Sequence, residues 1–127
     1  SSVGGKRSFI DEAKIWFEEE KDEEAKLLFQ RKIVDNPKSA ASYLYLAKIF
    51  NVEENKTEQE KNINTTLLLD PKNEEAMYLL IDIELSRSNF SKVEELKKDF
   101  KVICSTMCKK LASINSRLKE FENKDAS

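Results

Sequence analysis

Apolar side chains recur along this chain at spacings of three and four. Phe9, Ala13, Trp16 and Phe17 share one helical face, and Ala25, Leu28, Phe29 and Ile33 share the next. The rhythm continues through Tyr43, Leu46, Ala47 and Phe50, then through Met77, Leu80 and Ile81. A last series runs Val93, Leu96, Phe100, Ile103, Met107, Leu111, Ile114, Leu118 and Phe121. The spacing predicts helices over roughly 8–20, 23–35, 39–52, 57–69, 73–87, 90–103 and 107–122.

Two stretches punctuate the series. IVDNPKSAAS runs from Ile33 to Ser42, and LLLDPKNEEA runs from Leu67 to Ala76. They hold the only prolines, Pro37 and Pro71, which lie 34 residues apart. A shift of the same length sets Tyr43, Leu46 and Ala47 against Met77, Leu80 and Ile81, and Phe9, Ala13 and Trp16 against Tyr43, Ala47 and Phe50. Phe50 against Glu84 and Ile63 against Lys97 are mismatches. A fixed period of this length signals stacked repeats, because one unit cannot bury its apolar face alone. Proline pushes the preceding residue out of the helical region and suits the first turn of a following helix. Each unit therefore reads as helix, short turn, helix, proline-containing turn.

The last stretch admits two readings. One is a single long helix over 90–122 with a coiled-coil seam. The other breaks near Ser105–Thr106, where a third proline would fall, and ends in an amphipathic helix that caps the stack. The period favours the break.

Composition adds limits. The 127 residues suit one domain, with 39% hydrophobic and 36% charged side chains. Both glycines fall in the first five residues, and the residues that dominate favour helix. The net charge of -2 offers no strong field for nucleic acid or an anionic membrane. No run of apolar residues is long enough to span a bilayer, so no membrane insertion is expected. Cys104 and Cys108 sit four apart in a helical stretch, where disulfide geometry is awkward. They read as free thiols in a reducing compartment, and the expected location is the cytoplasm. The opening SSVGGKRS, without Met, reads as the start of a fragment of a larger protein.

The units resemble the tetratricopeptide repeat. LLLDPKN matches the end of that family's 34-residue unit, and Tyr43, Leu46, Ala47 and Phe50 fit its first-helix places. Phe9, Ala13, Trp16, Ala25 and Phe29 fit another unit, and SNFSKVEEL looks like the turn of a third, with Phe90 in the aromatic place. Glu20, Glu54 and Ser88 depart from the pattern, standing where a turn glycine is common. Gln59 replaces a small residue, and Glu84 replaces an aromatic. The resemblance implies an all-α fold of about seven helices, antiparallel helix-turn-helix repeats stacked as a right-handed superhelical solenoid. The implied organisation is a flexible lead-in at 1–7 and one repeat domain at 8–122. Its units fall at about 6–37, 40–71 and 74–105, followed by a capping helix at 107–122 and a frayed tail at 123–127.

Catalytic chemistry has little to work with. The chain has no His, which removes His-based acid–base and nucleophilic catalysis and the commonest metal ligand. GGKRS at 4–8 shares letters with a phosphate loop but lacks its upstream glycine and its Ser or Thr after lysine. The acidic runs at 18–20 and 22–24 lack calcium-loop spacing and read as solvated turns. No cofactor, metal or enzymatic site is expected within this chain.

The resemblance implies instead a groove lined by the first helices of successive units, which would dock a protein or peptide segment. The matching places are Ile10, Lys14 and Phe17; Leu44, Lys48 and Asn51; Tyr78, Asp82 and Leu85. Family members that grip a carboxylate use five places, which here hold Ile10, Lys14, Tyr45, Glu75 and Leu79. Only Lys14 is cationic and Glu75 would repel the ligand, so that mode is not expected. The alternatives are a structural spacer within a larger multidomain enzyme, self-association through residues 90–122, and a helical bundle without repeats.

Overall fold

The computed structural model describes the backbone of residues 22–126 and the side chains of residues 22–122. Among these residues six helices follow one another with no strand: α1 (Asp22–Asp35), α2 (Ala40–Val52), α3 (Lys56–Leu69), α4 (Glu74–Ser86), α5 (Phe90–Ile103) and α6 (Lys110–Ala126). The helix expected over 8–20 lies outside the described residues, as does the lead-in before it. The chain gathers into two compact units, Ser1–Asp70 and Pro71–Ser127.

The period is present in the backbone itself. α3 and α5 begin at residues 56 and 90, α2 and α4 begin at 40 and 74, and α1, α3 and α5 end at 35, 69 and 103, each 34 after its counterpart. The break that the period favours is there: α5 ends at Ile103, and Cys104 leaves it in extended conformation, with ψ 145°. The last helix begins three residues later than expected, and the tail expected to fray is helical as far as Ala126.

The prolines end the preceding helices as expected, at Asp35 and Leu69, but do not start the next ones. Pro37 and Pro71 are not in the first turns of α2 and α4; each lies two residues before an N-cap, Ser39 or Asn73. The Ser39 N–H donates to the Asn36 carbonyl at 3.1 Å, closing a β-turn with Pro37 at its second position. Proline's fixed φ suits that position. The Asn73 side chain then accepts from the Ala76 N–H at 2.9 Å, satisfying one of the four amides a helix start leaves unpaired.

The turns within units explain two departures from the family pattern. Glu54 and Ser88 have φ of 59° and 58°, the left-handed region that glycine adopts most easily. The Asn55 N–H reaches the Phe50 carbonyl at 2.9 Å and the Glu54 N–H reaches Asn51 at 3.1 Å; Asn89 to Glu84 and Ser88 to Leu85 repeat the pattern at 3.0 Å. These are Schellman closures, which require the left-handed residue after the C-cap. A non-glycine residue there costs about 1–2 kcal/mol. Ser88→Gly should therefore raise stability by about 0.5–1 kcal/mol after the unfolded chain's gain in freedom is counted. A urea unfolding curve checks this.

In the first unit, Ala25, Leu28, Phe29, Leu46 and Ile49 form a buried cluster, with Ile33, Tyr45 and Phe50 against it. Phe29 stacks flat on Tyr45 at 5.2 Å between centroids. The Lys26 ammonium links α1 to the end of α2 through Glu53 at 3.0 Å. That hydrogen-bonded carboxylate holds the Lys26 pKa above its ordinary value. Gln59, in the place of a small residue, is buried on α3, as are Asn62 and Thr66. Asn62 and Thr66 answer part of the polar cost by donating to the carbonyls of Glu58 and Asn62, each at 2.8 Å.

In the second unit, Ala76, Met77, Ile81, Val93, Leu96, Phe100 and Ile114 are buried. Glu84, in an aromatic place, is buried as a carboxylate. It accepts from Arg87 at 3.1 Å and from Asn89 Nδ2 at 2.9 Å, so the buried charge is paired and fastened to its own turn.

Candidate interaction surface

Ile10, Lys14 and Phe17 lie outside the described residues. The other six expected groove residues occupy two first-of-pair helices, three on α2 and three on α4, in separate units. On α2, Leu44 is buried, Lys48 is half-exposed and Asn51 is exposed. The Lys48 ammonium sits 4.6 Å from the centre of the Tyr45 ring, a cation–π arrangement. The outward α2 surface is thus an aromatic face with a cation over it and an amide one turn on.

On α4, Leu85 is buried, while Tyr78 and Asp82 are half-exposed. Both of these contact α6. The Lys110 ammonium lies 5.4 Å from the Tyr78 ring centre, and the Arg117 guanidinium pairs with the Asp82 carboxylate. Phe100 packs on Tyr78 at 6.3 Å. In this unit the final helix covers much of the face where a groove was expected.

The two remaining carboxylate-grip places that are described, Glu75 and Leu79, are half-buried on α4. With Tyr45 stacked on Phe29, these three places supply no cation.

Several contacts escaped the sequence reading. The Glu74 carboxylate, in the first turn of α4, accepts four hydrogen bonds from the turn between α5 and α6. They come from the Ser105 and Thr106 backbone amides and the hydroxyls of the same two residues. The Thr106 hydroxyl, followed by the Ser105 amide, pulls the Glu74 pKa below the usual carboxylate range. A depressed folded pKa means stability that is present above the unfolded value and lost as pH falls through the folded one. The second unit should therefore lose stability on acidification below the usual carboxylate range. Glu74→Gln should flatten that part of a plot of unfolding midpoint against pH; an unchanged slope would show the clasp to be idle.

Cys104 and Cys108 are also not free. They are disulfide-bonded, with Cα atoms 5.2 Å apart. The expectation of free thiols applied helical spacing to the pair, but the helix ends at Ile103, before either cysteine.

A second periodic feature also went unread. Val34, Leu68 and Val102 are the penultimate residues of α1, α3 and α5, and they are 82%, 81% and 84% exposed. They too lie 34 residues apart.

Among the described residues, no three His, Cys, Asp or Glu side chains converge as metal ligands. No described helix is long and apolar enough to cross a membrane.

The helix pairs, the period in the backbone and the left-handed turn residues define a tetratricopeptide-like fold. Solved structures agree. The type III secretion translocator chaperone SycD of Yersinia enterocolitica is similar at a TM-score of 0.79 and 13% identity, over 94% of this chain and 84% of that one. The second tetratricopeptide repeat domain of Spaghetti (RPAP3), bound to the HSP90 peptide SRMEEVD, is similar at 0.61 and 24% identity, over 75% of this chain and 85% of that one. At these identities the likeness is one of fold. No family model and no curated protein sequence matches the chain.

Proposed function

We propose that this chain is a non-catalytic interaction module that docks a protein or peptide segment on the outward face of α2. The observation that carries this is the α2 surface, where Lys48 caps an aromatic face beside the exposed Asn51. A cation held over a ring and an exposed amide one turn on offer an extended segment charge and backbone hydrogen bonds together. That RPAP3's repeat domain is bound to a peptide supports the reading by analogy of fold alone. Its peptide ends in acidic residues, whereas Glu75 here would oppose a carboxylate, so the ligand class is expected to differ.

A second reading, a spacer or self-association domain of a larger enzyme, is favoured by one observation: α6 occupies Tyr78 and Asp82. A cytoplasmic setting belongs to the proposal and makes the Cys104–Cys108 bridge a reversible one, since stable disulfides are rare there.

Selection of a peptide display library on the chain tests the first reading. Leu44 is buried, so a charge there would disturb folding; Lys48→Glu/Asn51→Glu changes a half-exposed and an exposed position instead. The selected peptide should bind that variant at least about tenfold more weakly, a loss of about 1.4 kcal/mol. Equal binding, with both chains folded by circular dichroism, would transfer weight to the spacer reading.

A further inference from the structure

Residues 104–109, between α5 and α6, contain neither glycine nor proline. The apolar spacing on both sides continues through them, and Ser, Thr and Cys each cost a helix only a few tenths of a kcal/mol, up to about 0.7, relative to Ala. Local sequence alone would let α5 and α6 run on as one helix. At the two equivalent places upstream the helix is stopped by Pro37 and Pro71; here the residue is Ser105.

The disulfide takes the role of the missing proline. In an unbroken helix, side chains four apart have Cβ atoms about 5–6 Å apart. A disulfide requires about 3.5–4.5 Å. The Cys104–Cys108 bridge and a continuous helix therefore exclude each other. The bridge is also reachable, with Cys108 exposed and Cys104 half-exposed. Beside it, the Glu74 carboxylate holds Ser105 and Thr106, but those bonds lie at the surface, where water competes for every donor.

We propose that the Cys104–Cys108 bridge is a reducible lock on a hinge. A dithiol reductant opens it: one reductant thiolate attacks one bridge sulfur, and the other cysteine leaves as a thiolate. The reductant's second thiol then displaces the mixed disulfide. The chain gains two electrons and two protons as two thiols, and the reductant becomes a disulfide.

Once opened, residues 104–109 join α5 to α6. Phe90 and Phe121, whose rings are 4.7 Å apart in the closed form, would then stand about 46 Å apart along one helix axis. Ile114 and Leu118, buried when closed, need a new cover. The surface that fits them is the one they left, on a second copy of the chain. The opened form is thus an exchanged dimer in which α6 of each copy docks on the other, a low-cost route because the packing of α6 is reused and only the bridge and the surface bonds to Glu74 are given up. This holds whatever the α2 surface binds.

The test compares three samples by light scattering and by NMR Cα shifts of residues 104–109: the oxidised chain, the same chain with dithiothreitol, and Cys104→Ser/Cys108→Ser carrying Ser105→Pro. The third restores the breaker at its periodic place; the extended Cys104 backbone suits a following proline, and the variant gives up the two bonds that Ser105 donates to Glu74 but keeps those from Thr106. The expected result is one-chain mass and non-helical shifts for the first and third, with doubled mass and helical shifts for the second. Reduction that changes neither mass nor shifts would overturn the proposal. So would a dimer that the proline variant still forms.

Discussion

Phe29→Ala should destabilise the first unit by about 3–5 kcal/mol, the usual range for truncating a fully buried aromatic. Phe29 has no exposed surface and lies at the centre of the α1–α2 cluster with Ala25, Leu28, Leu46 and Ile49. Its loss also strips Tyr45 of its stacking partner and, with it, the platform on which Lys48 rests. Whole domains retain only about 5–15 kcal/mol, so this one change should remove a large share. Urea titration followed by far-ultraviolet circular dichroism measures it. A loss under about 1 kcal/mol, the mark of a surface substitution, would mean that α1 is not packed as described.

The second large effect is at Ala47, which is fully buried on α2. A small residue here lets helix backbones approach closely. Leucine adds three carbons to a site with no exposed surface, and overpacking of this kind costs about 1–3 kcal/mol. The same change at exposed Ala41, also on α2, should cost under about 0.5 kcal/mol. Equal effects at the two positions would remove the argument for close approach.

Much of this fold was legible because it is written in short-range terms. Spacing by threes and fours marks helices. Pro37 and Pro71 fix the period, and the repeat alignment placed Glu54 and Ser88 in the turns, where both prove to be left-handed. What stayed hidden depends on pairs distant in sequence. The Glu74 clasp joins residues about thirty positions apart, and no local pattern announces it. The thiols were misread because the pair was judged on helical spacing, although the repeat period placed a break between the two cysteines.

The candidate surface was legible only in part. Repeat alignment named Lys48 and Asn51, which are half-exposed and exposed, but it assigns a register, not an exposure. Leu44 and Leu85 share that register and are buried, because apolar side chains there have neighbours to cover them. Tyr78 and Asp82 are engaged by Lys110 and Arg117, which lie beyond the unit that the alignment compared.

The central claim is that a partner segment docks on the outward face of α2. The most direct measurement is an NMR titration of the isotopically labelled chain with a peptide selected on it. The account predicts that the largest shift changes fall on Tyr45, Lys48 and Asn51, saturating together with one dissociation constant. Changes that leave these three residues still, and gather instead on the Val34 and Leu68 ends of α1 and α3, would contradict it.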